Sequence, residues 1–210
     1  MKFSLLVVIF YSVIEFACAS SFLPKQFEAN LEQQIERVAA KKKSIDKSNV
    51  LMKYMFPNHI YFNVADADTP VLYICNKSKT WLYNPPFVEG EKGEVIVGSS
   101  SKHCHVKIFD ALSNGLKNNN IYNVKTRGKV AKLSFSKKAQ TQLAIDTIEL
   151  VFKNTISAQT TISDISQMSV FKLGQKKPTV FIFKSLLINQ KIKKSDFIFK
   201  IPENTNIKNI

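Results

Sequence analysis

Arginine is nearly absent from this chain. Of 30 Lys and Arg residues, only Arg37 and Arg127 are arginines, although the net charge is +14. Specific recognition of bases and phosphates favours the planar guanidinium fork, and here the positive charge is lysine spread along the whole chain. No nucleic-acid partner is expected. The lysines suit solvated faces, or attraction to anionic membrane surfaces and acidic partners. Catalytic signatures are missing too: there is no G-x-S-x-G, HExxH, P-loop or G-x-G-x-x-G. Carboxylates are scarce in the second half and none pair at a spacing that suggests acid/base work, so neither an enzyme nor a cofactor is expected. Beyond residue 16 no segment reaches the ~20 unbroken apolar residues of a membrane span.

Three cysteines are present. The first, Cys18, follows Lys2 and the apolar run Phe3 to Phe16, inside the triplet Ala17-Cys18-Ala19. That is the layout of a secretory signal peptide, so residues 1–19 are expected to be a signal peptide and 20–210 a single domain. The rival is cleavage before Cys18 with lipidation of that cysteine. Cys75 and Cys104 remain and could pair in an oxidising compartment, which spacing alone leaves open. His103-Cys104-His105 has some metal character, but alternation on a strand would aim the histidines away from Cys104. Zinc also wants further ligands at known spacings, so no metal site is expected.

Apolar residues supply the rest, at 45% of the chain with 16 Phe. Leu23, Phe27, Leu31, Ile35 and Val38 recur at steps of four, four, four and three, which predicts an amphipathic helix over 23–38. Val106, Phe109, Leu112 and Leu116 predict a second, short helix within 103–117. Strands are expected over 52–56, over 59–64 and in a hairpin from Val71 through Tyr83. Further strands are expected at 131–136, 143–152, 167–173, 179–188 and 197–201. The fold class is therefore α+β, with a large antiparallel sheet curving into an open barrel and helices covering its cavity. Ile60, Phe62 and Val64 alternate on one strand face, Trp81 and Tyr83 share a face on another, and Leu133 and Phe135 continue the pattern.

The most specific segment is Lys79 to Glu89, KTWLYNPPFVE, in which an aromatic strand runs straight into Asn84-Pro85-Pro86. Proline cannot donate to a ladder, so the strand stops there. This segment resembles the periplasmic outer-membrane lipoprotein carrier family, LolA, and the wider LolA/LolB fold. The resemblance extends in order through the Pro57-Asn58 turn, an Ile-Tyr-Asn-Val stretch and the late Phe-Ile-Phe-Lys-Ile-Pro. It implies a concave cavity for acyl chains, with Ile60, Phe62, Val64, Trp81, Tyr83, Leu133 and Phe135 as its walls. The lid would carry Phe27, Leu31 and Ile35 on one helix and Ile108, Phe109 and Leu112 on another.

The function so implied is that of a monomeric periplasmic chaperone. It would take acylated lipoproteins from an inner-membrane lipoprotein-releasing ABC transporter and pass them to an outer-membrane lipoprotein receptor. Two alternatives stand beside it: a receptor of similar fold anchored through Cys18, and a basic interaction module that binds no lipid. The chain departs from the family pattern twice. Phe56 stands where the family has a lid-holding arginine, which implies a lid held by apolar contact alone. Only about twenty residues separate the first predicted helix from Pro57, which implies one hairpin fewer and a narrower half-barrel.

Overall fold

The computed structural model describes residues 21–210 apart from 40–41, 67–68, 105–106 and 189. The expected signal peptide and Cys18 lie outside the described residues. From residue 26 to 55 the chain forms two long strands, β1 (Gln26–Ala39) and β2 (Lys42–Met55), paired antiparallel along their whole length. The helix predicted over 23–38 is therefore a strand. A step of four is even, so Phe27, Leu31 and Ile35 share one face of a strand as readily as one side of a helix. The residues between them decide the matter. Ala29 lies on the same face and is buried, while Glu28, Glu32 and Glu36 occupy the other face. There they meet Lys53 at 3.8 Å, Lys184 at 2.9 Å and Lys177. Partners on both edges outweigh local helical preference. Residues 26–55 therefore supply a long β-hairpin where a helix was expected.

The sheet continues through β3 (His59–Val64), β4 (Val71–Cys75), β5 (Lys79–Asn84) and β6 (Gly93–Ser99). The turn joining β4 to β5 is closed by Asn76, whose Oδ1 accepts from the Ser78 and Lys79 amides, each at 3.0 Å. β5 ends at Asn84, immediately before the two prolines. Two short helices follow, α1 (Ser100–His103) and α2 (Lys107–Leu112). The second half adds β7 (Tyr122–Arg127), β8 (Val130–Phe135), α3 (Lys137–Leu143), β9 (Ile145–Phe152), β10 (Ile165–Lys172) and β11 (Thr179–Leu187). The strand expected at 197–201 is instead the end of a 3₁₀ turn (Lys194–Phe197) and extended chain. The last strand is β12 (Thr205–Asn209).

All twelve strands form one curved, unclosed sheet in the order β12-β6-β5-β4-β3-β2-β1-β11-β10-β9-β8-β7. Every pairing is antiparallel except β12 with β6, which is parallel. The two halves of the chain meet where β11 pairs with β1, so the first strand in the chain is central in the sheet.

Alternation along the strands sorts apolar residues onto two faces. The concave face carries the main core, with Phe27, Leu31, Met52, Tyr54, Leu133, Ile148, Leu150 and Phe152 all nearly inaccessible. Phe22 and Leu23, α2 and α3 pack into the same core. On the convex face of β3–β6 a second cluster joins Ile74, Trp81 and Val95 to Ile192 and Phe197 from the segment before β12.

Candidate functional site

A wholly apolar cavity of about 220 Å³ lies on the concave face. Its walls are Leu31 (β1), Met52 (β2), Ile60 and Phe62 (β3), Tyr73 (β4), Ile145 (β9), Met168 and Val170 (β10) and Phe181 (β11). Ile108 and Phe109 of α2 form the remaining side. The strand residues converge because the register puts Leu31, Val50 and Val64 in one row and Ala29, Met52, Phe62 and Tyr73 in the next. Sheet curvature then brings β3 and β4 towards β10 and β11. The surface these side chains present to the cavity is entirely apolar, so it favours an apolar ligand.

Five of the residues singled out in the sequence meet in this cavity: Leu31, Ile60, Phe62, Ile108 and Phe109. Phe27, Leu112, Leu133 and Phe135 belong to the core around it. Val64 and Ile35 line the next stretch of the concave face, a more polar groove of about 410 Å³. Trp81 and Tyr83 lie elsewhere. They point to the convex face, where Tyr83 packs 5.1 Å from the Phe199 ring and a Cβ on Gly93 would stand 2.8 Å from its edge. Met52, Tyr73, Ile145, Met168, Val170 and Phe181 were not anticipated. Their even spacing within strands was the available signal, but an apolar strand residue looks alike on either face until partners are known.

The helix α2 is fastened to the sheet at three places. In its middle, Asp110 accepts a 2.7 Å hydrogen bond from the Tyr54 hydroxyl and a 3.1 Å bond from the Asn58 amide. Asn58 sits in the left-handed region (φ 62°) of the β2–β3 turn, which aims that amide at the carboxylate. Past its C-terminal end, the buried Tyr122 hydroxyl donates to the Gly115 carbonyl at 2.7 Å. Before its N-terminal end, Cys104 is joined to Cys75 at the end of β4, with Cα atoms 5.9 Å apart. This helix is therefore held by hydrogen bonds and a disulfide, not by apolar contact alone. The disulfide also commits the sulfur of Cys104.

Burial sets the titration of these groups. The Asp110 carboxyl is pushed above the usual aspartate value by burial, against the lowering effect of its bonds to Tyr54 and Asn58. The Tyr54 hydroxyl is pushed far up by burial and further by Asp110 beside it. Tyr122 is pushed up to about 12, again by burial. The two phenols therefore stay protonated near neutrality and keep donating their hydrogen bonds.

No protein-family model matches the chain, and no curated protein matches it. Among solved structures it is similar to a DUF1329 family protein from Desulfovibrio piger, at TM-score 0.40 and 14% identity over 83% of this chain and 90% of that one. It is also similar to a proposed outer membrane lipoprotein-sorting protein domain from Vibrio parahaemolyticus, at TM-score 0.38 and 12% identity over 82% and 88%.

Proposed function

We propose that this chain is an acyl-chain carrier of the bacterial envelope, which shelters lipoprotein acyl chains on the concave face of its open sheet. The observation that carries the proposal is the cavity against α2, whose exposed lining is entirely apolar. Burying acyl chain there stabilises by ~0.8 kcal/mol per methylene relative to water. For cargo with several chains the sum makes release into water negligible, so cargo must pass from one apolar site directly to another. In this proposal the donor is an inner-membrane ABC transporter, the acceptor an outer-membrane receptor, and the carrier a periplasmic monomer. It performs no covalent chemistry.

The cavity volume of about 220 Å³ is below the ~300–1,000 Å³ typical of small-molecule sites. Loading multiply acylated cargo therefore requires α2 to move off the sheet. Its attachment defines how: the disulfide holds the end near Cys104, while the Asp110 and Tyr122 hydrogen bonds can break. The helix swings about its covalently tethered end.

The test is to mix the protein, from Ser20 onward, with a triacylated lipoprotein in detergent, remove the detergent and resolve the products by size. A soluble one-to-one complex is expected, and Phe62→Asp should abolish it. If none forms, or if Phe62→Asp forms it equally well, the proposal fails and a module that binds no lipid is favoured.

A further inference from the structure

A polar groove follows the apolar cavity along the same strands. β1 gives Leu31 to the cavity and then Gln33, Ile35 and Arg37 to the groove. β2 gives Met52 and then Ser48 and Asp46, and β4 gives Tyr73 and then Val71. Two chambers of about 220 and 410 Å³ thus lie in series on one concave surface, and among the residues described for them only Phe62 lines both.

Phe62 does not stand alone at that junction. Its ring meets that of Phe181 edge to face, with centroids 6.0 Å apart and planes at 87°. β3 and β11 are separated along the sheet by β2 and β1, or three strand spacings of about 4.8 Å each. The rings touch only because the sheet curves and both side chains lean across the groove. Both are partly buried, and both come from the core face.

We infer that the Phe62–Phe181 pair is a partition that sets the length of acyl chain the inner chamber accepts. This inference rests on the acyl-binding function proposed above. A chain end enters the inner chamber between Phe109, Met168 and Phe62, and it gains affinity with each methylene until it fills the space. Further methylenes must pass the rings into the outer groove, whose walls include Arg37, Asp46, Lys47 and Asp66. Those charged walls do not reward further hydrocarbon as the apolar inner chamber does. The ligand at this site is therefore one acyl chain of the cargo, with its polar end left at the α2 side of the cavity and its methyl end stopped by the rings.

Binding of saturated fatty acids of increasing length, measured by displacement of a fluorescent apolar dye, tests this. While methylenes are being buried, affinity should rise roughly fourfold per carbon, and the rise should stop at a definite length. In Phe62→Ala and Phe181→Ala, with the partition opened, the rise should continue to longer chains. Phe62→Trp should stop it earlier. Near-ultraviolet circular dichroism identifies any variant that does not fold, and the other two then carry the test. An unchanged stopping length in folded variants overturns the partition while acyl binding stands. Absence of dye and fatty-acid binding by the unmutated protein overturns both.

Discussion

Asp110 shows how one side chain can take over a task for which the sequence holds no obvious candidate. Phe56 is apolar and precedes the Pro57–Asn58 turn, yet α2 is bonded to that turn by a carboxylate carried on the helix itself. Tyr54, fully buried, and Asn58, in its left-handed turn, lie far from Asp110 in sequence, so only the fold brings the three together. Because burial raises the Asp110 carboxyl, the folded protein holds that proton more tightly than the unfolded chain. This group therefore favours folding most below the ordinary aspartate range, and that contribution is lost as pH rises through its raised folded value. Asp110→Asn removes the titration while keeping an acceptor for Tyr54. Urea unfolding from about pH 3 to about pH 6 should then show a more positive slope of stability against pH in Asp110→Asn than in the unmutated protein. Parallel slopes would contradict the assignment.

At the scale of elements, the decisive departure is β1. Its period-four pattern was legible, but a spacing of four satisfies helix and strand alike. What settles the choice is the supply of partners: fourteen paired residues on β2 and a second ladder with β11. By contrast, the β4–β5 hairpin was readable in full because its turn and its stop are local chemistry, an asparagine-closed turn and a double proline. Helix α2 is intermediate. Its apolar face was legible, while its short length follows from the left-handed Gly115 just beyond it (φ 71°). The disulfide closes a loop of 29 residues between β4 and this helix. Cys75→Ser with Cys104→Ser should lower stability by about 2–4 kcal/mol, measured by urea unfolding. Hydrogen exchange in α2 should rise by more than in β1. An equal rise in both elements would mean that the disulfide supports the whole domain and does not specifically tether the helix.

For the whole molecule, an unclosed sheet wraps a core on one face, receives a C-terminal cover on the other, and leaves an apolar cavity and a groove along its concave surface. If acyl chains bind there, they must stabilise the folded state by mass action, because the unfolded chain has no such cavity. At free dodecanoate a hundredfold above its Kd the gain is about 2.7 kcal/mol. Thermal unfolding should then shift upward with dodecanoate in the unmutated protein and not in Phe62→Asp. The chain by itself determined the strand-rich second half, the hairpin that stops at Pro85, and an apolar stock large enough for a core, because alternation, turns and proline act through near neighbours. Only the tertiary structure decided that residues 26–39 are a strand, that Trp81 and Tyr83 face away from the cavity, and that Met168 and Phe181 face into it. The physical reason is that a strand's two faces are equivalent until its partners and the curvature of the sheet choose between them.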